Sequence, residues 1–384
     1  MSVVTVKGSA IRKLQRGYPW LQRSDVRWES DVAPGSLAEL CGADGTRLGM
    51  GLVNPGARYP VKILRLGDGG VDGAFFRDRL DRAWDYRQTI DLESDAFRWA
   101  HGEADGLPGL IVDFFAGHAV VQVRNLGMEK LKPVWLPILA ERCESVFERS
   151  DMQGRKEEGM EEFSGQLAGE TPERIEIRER GLRYLVPAKD GLKTGHFLDQ
   201  RNSRAHLAKQ VRQGDRVLDL FCYTGGFSLA AASAGADCLG VDIKQLPVLC
   251  GQANAELNGL TVEFVQANAF DYLAESAEGG YNWIILDPPA IAKTRDKRDS
   301  LKWGIWKLVH DALPHLNPGG RVVVCACTWQ MGIEDCWDVV QLAAGDCGVK
   351  VALEAVTLQD RDHPAVAEFP QSLYLKCLWV RRME

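Results

Sequence analysis

Downstream of residue 200 the chain alternates short, almost wholly apolar runs with longer amphipathic stretches. The runs fall at 216–221, 238–242, 262–265, 282–287, 320–326, 350–356 and 374–380. Unbroken apolar runs of strand length suit strands covered on both faces, as in a parallel sheet. Strand patterns alternating with helical ones predict a doubly wound α/β domain. Upstream the rhythm differs. Residues 1–75 hold strand-like runs at 36–41, 48–55 and 61–65, broken by Gly, Pro and Asn, which predicts a small β-rich barrel or sandwich. A charged, helix-like stretch occupies 76–95. Strand patterns follow at 97–100, 110–115 and 119–123, then a helix-like stretch with internal prolines at 128–143 and a strand at 146–149. The acidic segment 154–173 is expected to be a loop or extended arm, and 174–187 a hairpin. Three domains are expected: a β-rich 1–75, an α+β 76–190 and an α/β 191–384.

Within this pattern Asp287-Pro288-Pro289 and Cys327 stand 40 residues apart, each just past an apolar run. The runs are Trp283-Ile284-Ile285-Leu286 and Val322-Val323-Val324. If the two strands are neighbours, a carboxylate and a thiol share one rim of one sheet, about 5 Å apart in the pairing direction. Ligands of open α/β sheets bind at that rim.

A second constellation concerns a cofactor. The run Arg216-Val217-Leu218-Asp219-Leu220-Phe221 opens into Cys222-Tyr223-Thr224-Gly225-Gly226, a glycine turn before a helix. The next strand also ends in a carboxylate, Asp242. In a Rossmann-like half-domain that second acid holds ribose hydroxyls. A nicotinamide dinucleotide needs G-x-G-x-x-G so that a helix N-terminus can approach the pyrophosphate. This loop has only adjacent glycines, and Asp219 would sit against the pyrophosphate. S-adenosylmethionine carries no phosphate but has an ammonium and a sulfonium, which an acid at the end of the first strand suits. The loop residues Tyr223, Thr224 and Gly225 are therefore expected to line its pocket. Asn268, after the third strand, either hydrogen-bonds the adenine edge or caps a helix.

The rim pair suggests the chemistry. Carbon 5 of cytosine is a poor nucleophile, and a thiolate adding to carbon 6 makes the ring enamine-like, so that carbon 5 can attack a sulfonium methyl. The thiol must be ionised and reachable. Strand alternation points Cys325 and Cys327 the same way. Cys327, further out, is the expected nucleophile, and Asp287 would bind the N3/N4 edge of the base. Enzymes that methylate exocyclic amines usually place an aromatic after the two prolines, whereas Ala290 stands there.

Composition narrows the class further. Hydrophobic content of 45% and charged content of 26% are those of a soluble globular protein. No apolar run approaches the roughly 18 residues of a membrane span, and no signal peptide is visible at the N-terminus, so a cytoplasmic location is expected. The ten cysteines include no C-x-x-C pair, which speaks against a metal. Net charge is −7, yet Lys7, Arg12, Lys13, Arg16, Arg23 and Arg27 crowd the first 30 residues, interleaved with Tyr18, Trp20 and Trp28. Such a mixture can hold a nucleic-acid backbone and stack on bases, or be a solvated face over a small core.

Longer strings extend the picture: Gly102-Glu103-Ala104-Asp105-Gly106-Leu107-Pro108-Gly109-Leu110, Arg149-Ser150-Asp151, and Arg155-Lys156-Glu157-Glu158-Gly159-Met160. They continue with Lys193-Thr194-Gly195-His196-Phe197-Leu198-Asp199-Gln200-Arg201, Asp362-His363-Pro364, and Ser372-Leu373-Tyr374-Leu375-Lys376. With these strings the chain resembles, over nearly its whole length, the PUA-domain-containing 23S ribosomal RNA cytosine-C5 methyltransferases, a class I S-adenosylmethionine-dependent family. The resemblance implies a PUA RNA-binding barrel, a central β-β-α-β-β unit and a C-terminal class I methyltransferase domain. It implies ribosomal RNA as partner, a homodimer in some members, and Cys327 as nucleophile. Its flanks, Ala326 and Thr328-Trp329, depart from the family's usual Ser-Cys-Ser. It also implies that Phe197, Asp199 and Gln200 line the methionine end of the cofactor pocket. His363 would be a rim group or a turn residue.

The expected activity is methyl transfer to carbon 5 of a cytosine in large-subunit ribosomal RNA. Its rivals are methylation of a guanine or adenine amine, which needs no thiol, and a non-catalytic RNA-binding assembly factor.

Overall fold

In a computed structural model, the structure describes residues 2–28, 32–275, 279–289 and 297–383. Ala290 lies outside the described residues. The chain divides into two compact units, and neither is continuous in sequence. One comprises Met1–Ile177, Val186–His196 and Arg361–Ser372, the other Arg178–Leu185, Phe197–Asp360 and Leu373–Glu384.

The second unit is built on a seven-stranded sheet. From one edge to the other its strands are Glu263–Gln266, Asp237–Asp242, Arg216–Leu220, Tyr281–Leu286, Leu316–Cys327, Leu375–Arg382 and Val351–Leu358. The first five are mutually parallel, and Leu375–Arg382 runs antiparallel to both its neighbours. All seven expected strands are present, although the fifth begins at Leu316 rather than 320. The apolar runs are explained by burial on both faces. Leu218, Leu220, Ile284, Leu286, Val322 and Val324 pack into one core, while Val217, Trp283, Ile285, Val323 and Cys325 pack into the other. Strand order reverses between Arg216–Leu220 and Tyr281–Leu286, because the chain winds outward to Glu263–Gln266 and then returns. A crevice for ligands opens at such a reversal, beyond the carboxyl ends of the strands.

The first unit contains two sheets. Six short strands, ordered Trp20–Leu21, Val61–Leu66, Arg47–Val53, Ser36–Cys41, Ser2–Val6 and Val26–Trp28, form the β-rich N-terminal part. The helix Gly8–Gln15 packs Ala10 and Leu14 into the same core as Val4, Leu40 and Val61. A second sheet, ordered Phe163–Gly169, Ser145–Ser150, His118–Val123, Leu110–Phe115 and Ala96–His101, carries the central part. Three strands precede the helices Leu126–Lys130 and Lys132–Ala140, one more than a β-β-α-β-β pattern. The segment expected as a loop or extended arm at 154–173 contains the edge strand Phe163–Gly169. Most of its residues are exposed or half-exposed, so its pairing leaves no hydrophobic alternation to read.

Polar groups are buried deep in this unit. Arg87 forks onto Asp105 at 2.7 and 2.8 Å, and Arg98 onto Asp113 at 2.5 and 3.1 Å. Thr194 Oγ1 donates to Asp113 at 2.6 Å, and Asp362 accepts from the Arg98 backbone N–H at 2.9 Å. His363 lies with them, 1% exposed, its Nδ1 2.8 Å from Asp362 and its ring against His101. The residue expected on a rim or in a turn lies in a bend after the turn 361–362, buried in an ionic core. His101 is held well below the ordinary histidine range by burial and then by the Arg98 charge.

Among the described residues no helix is long and apolar enough to cross a membrane.

Candidate functional site

The strand Arg216–Leu220 leads into a tight loop, because Phe221, Tyr223 and Gly225 all take left-handed backbone angles, with φ of 64°, 49° and 82°. Two such residues with side chains within three positions concentrate strain at the reversal point, as happens at ligand-binding turns. The helix Gly226–Ser233 starts directly after them. Asp219 is 1% exposed, and its Oδ2 accepts from the Ser228 backbone N–H at 3.0 Å and from Ser228 Oγ at 2.6 Å. Its Oδ1 is buried with no hydrogen-bond partner among the described residues. Burial pushes this carboxyl up to about 7 against the pull of Ser228, and the nearby charges of Asp287 and Asp242 push the same way. A buried carboxyl short of a cation is a site waiting for positive charge.

Asp242, at the end of Asp237–Asp242, holds the loop from the other side. Its Oδ2 accepts from the Tyr223 backbone N–H at 3.1 Å, and its Oδ1 from that of Lys244 at 3.0 Å. The Phe197 ring meets Tyr223 edge-on, with centroids 5.0 Å apart. Asn268 takes the capping geometry: its Oδ1 accepts from the Phe270 backbone N–H at 2.9 Å at the start of Ala269–Glu275. Behind the loop the Phe264 ring occupies a slot lined by three glycines. A Cβ on Gly225, Gly240 or Gly251 would stand 2.7, 2.6 or 2.7 Å from that ring.

At the same rim, Tyr281–Leu286 and Leu316–Cys327 are direct parallel neighbours, with Leu286 opposite Val324. The next positions are Asp287 and Cys325, and Cys327 lies one pleat further out. Cys325 is 0% exposed and faces Cys377 across the antiparallel pair, and burial drives its thiol far up. Cys327 is half-buried, with Sγ 3.9 Å from the Pro288 carbonyl oxygen. Exposure therefore separates two cysteines that share a strand face.

Gln200 bridges two of the neighbouring strands. Its Nε2 donates to Asp287 Oδ2 at 3.0 Å, and its Oε1 accepts from Cys377 Sγ at 3.4 Å. It thus ties the rim carboxylate to the buried thiols. Asp199, from the same string, accepts from the Tyr374 hydroxyl at 2.6 Å. The Gln200 bridge, the Ser228 cap and the Phe264 slot link positions distant in sequence or conformation, and the only local signal was the unusual Lys193–Arg201 string.

Four of the six basic residues near the N-terminus, Arg12, Arg16, Arg23 and Arg27, are exposed on the first unit. Lys13 is paired with Asp25 at 2.9 Å, and Arg23 stacks over Trp28 at 3.7 Å. Tyr18 and Trp20 are spent inside the unit, against Phe369.

With the geometry in hand, comparison with known proteins gives a consistent answer. A family model for S-adenosylmethionine-dependent methyltransferases matches residues 153–346, and one for PUA-like domains matches 4–66. The Ribosomal RNA large subunit methyltransferase I of Cronobacter sakazakii is 33% identical over 388 residues, covering 97% of both chains. The protein of the same name from Shewanella denitrificans is 33% identical over 393 residues, covering 98% of both. A solved structure described as a methyltransferase, in complex with SAH, shares the fold with a TM-score of 0.86 at 23% identity, covering 99% of this chain and 100% of that one.

Proposed function

The chain belongs to the S-adenosylmethionine-dependent methyltransferases that carry a PUA-like domain, and from that premise we propose that it methylates carbon 5 of a cytosine in large-subunit ribosomal RNA through a cysteine adduct. The ribosomal RNA part of this reading draws on the names of its relatives. The observation that carries the chemistry is the rim: a half-buried thiol, Cys327, beside the strand that leads into Asp287, with Cys325 sealed beneath it.

Bound S-adenosylmethionine supplies the sulfonium methyl. Asp219, with its unpartnered buried oxygen, suits the cofactor's ammonium, and Asp242 suits its ribose. Tyr223, Thr224 and Gly225 form the loop between them, Phe197 stands at its Tyr223 side, and Asn268 caps the helix that follows the third strand.

On the substrate side, the Cys327 thiolate adds to carbon 6 of the cytosine, and the ring electrons pass to carbon 5, which takes the methyl. Loss of the carbon-5 proton then re-forms the 5,6 double bond and expels the thiolate. Asp287, oriented by Gln200, binds the N3/N4 edge and stabilises the adduct while N3 is protonated. The two prolines after Asp287 give the strand a rigid exit without backbone donors. Arg12, Arg16, Arg23 and Arg27 supply a basic surface for the RNA backbone.

The test is tritium-methyl transfer from S-adenosylmethionine to unmodified ribosomal RNA, followed by nucleoside analysis, with Cys327→Ala in parallel. Label in 5-methylcytidine that disappears in the variant is the expected result. Label in a methylated purine, or full turnover by a folded Cys327→Ala, would sink the adduct mechanism.

A further inference from the structure

The strand Leu375–Arg382 brings a lysine to the back of the candidate nucleophile. Lys376 is 3% exposed, and it lies opposite Ala326, next to the Cys327–Leu375 pair of the antiparallel ladder. Its Nζ donates to the carbonyl oxygen of Thr328, the residue following Cys327, and to that of Met331 at 2.6 Å. The turn 328–331 is therefore wound around a buried ammonium. Thr328 closes the same turn by accepting from the Gln330 backbone N–H at 3.2 Å.

What this ammonium lacks is a carboxylate. No Asp or Glu lies at ion-pair distance from Lys376 among the described residues. Asp335, the nearest acid in electrostatic terms, is engaged by Arg298 at 2.6 Å and Lys302 at 2.9 Å. A buried cation is normally paired with an anion, since its desolvation costs several kcal/mol. Burial pulls the Lys376 ammonium below the usual lysine range, and the groups whose charge opposes that pull are mostly thiols: Cys336 on the helix Ile333–Asp346, Cys327 on the neighbouring strand, and Cys377 on its own strand. Cys336 and Cys377 are each 0% exposed. Burial drives the Cys336 thiol up to about 11, where it stays protonated at neutral pH. Cys327 is the one of the three that reaches the surface.

We propose that Lys376 is a positioning residue for Cys327, whose clamp on the Thr328 and Met331 carbonyls fixes the turn beside the thiol and whose charge favours the thiolate. This inference rests on Cys327 being the nucleophile. Ionisation passes the thiol proton to solvent and leaves the lysine protonated, so that the ammonium, from the other face of the sheet, favours the thiolate. Two carbonyl dipoles hold the ammonium. The terminal Lys376 of the Ser372–Lys376 string thereby gains a role that its place in the sequence did not suggest.

The experiment reads Cys327 alone and uses no RNA. The full-length protein is alkylated with iodoacetamide across a pH series, and the Cys327 peptide is quantified by mass spectrometry. A free thiol has its midpoint near about 8.5. The expected midpoint for Cys327 is at least about one unit lower. In Lys376→Met it rises by about one unit or more, slowing alkylation at pH 7 about tenfold, and Lys376→Arg recovers most of the loss. Calorimetric binding of S-adenosylmethionine reports that each variant is folded. A wild-type midpoint at or above that of a free thiol overturns the inference, and so does an unmoved midpoint in folded Lys376→Met. Should Lys376→Met not fold, the wild-type midpoint and the Arg variant still decide. Full turnover by Cys327→Ala strikes the adduct mechanism instead, and is read in a separate assay.

Discussion

The paired arginines and aspartates of the first unit and the rim of the second unit both bury charge, but they settle it in opposite ways. Arg87 meets Asp105 and Arg98 meets Asp113 through two contacts each, and Thr194 adds a further donor to Asp113. At the rim, Asp219 is just as deeply buried but, among the described residues, is hydrogen-bonded by Ser228 alone, and Lys376 has two backbone carbonyls. A matched buried pair holds a structure in register, and removing one partner strands the other. An unmatched charge is tolerated where its complement comes with a ligand or arises during the reaction. The contrast separates a part of the molecule that is finished on folding from one completed only on binding.

The largest expected effect breaks the second case outright. Cys327→Ala should lower methyl transfer at least about a thousandfold, as losses of covalent nucleophiles do. Calorimetric affinity for S-adenosylmethionine should change less than about threefold. Equal loss of both would mean that the rim had collapsed.

The same substitution made in the two regions should then have opposite signs. Asp113→Asn leaves Arg98 without its anion and should cost about 3–5 kcal/mol in denaturant-monitored unfolding. Asp219→Asn should instead stabilise the ligand-free protein at pH 8, by up to about 4 kcal/mol. The Asp219 carboxyl titrates at about 7 in the folded chain and near 3.8 in the unfolded one. Below 3.8 both states are protonated and no penalty exists. Between 3.8 and 7 the unfolded state sheds its proton first, so this group's contribution to stability falls as pH rises, at about 1.4 kcal/mol per unit. Above 7 the loss is complete. The advantage of Asp219→Asn should therefore shrink towards zero by pH 4, while its affinity for S-adenosylmethionine drops about tenfold or more. A destabilised Asp219→Asn at pH 8 would erase the contrast.

The smallest effect sharpens it. Gln200→Leu removes the donor to Asp287 and should lower kcat about tenfold, with cofactor affinity changed less than threefold. A large loss of affinity with kcat intact would move Gln200 into the cofactor pocket.

Much of the second unit was legible in its sequence because burial on both faces writes itself as unbroken apolar runs. Asp219, Asp242, Asp287 and Cys327 stand out in the sequence as polar residues at or near the ends of such runs. The edge strand Phe163–Gly169 was missed for the converse reason, since most of its side chains lie partly in solvent and carry no apolar pattern. The partners of the rim residues were equally hidden. Gln200 reaches Asp287 across 87 positions and Lys376 reaches Thr328 across 48, and both contacts depend on strand order, which local patterns do not encode. His363 falls in a bend, as a His before a proline suggests, but its burial follows from the distant Asp362–Arg98 contact and was not legible locally.

The Phe264 ring in its glycine slot has a consequence for how this protein can vary. Gly251 meets only that ring among its nearest neighbours, so alanine there becomes permissible once residue 264 is smaller, whereas Gly240 also stands 3.1 Å from Cys222 Sγ. Gly225 is excluded by the ring, by Leu229 at 2.8 Å and by its own φ of 82°, and no change at 264 alone frees it. Gly251 is thus bound to Phe264 by epistasis and can drift in concert with it, Gly240 is bound to Phe264 and Cys222 together, and Gly225 is held by its backbone whatever stands at 264.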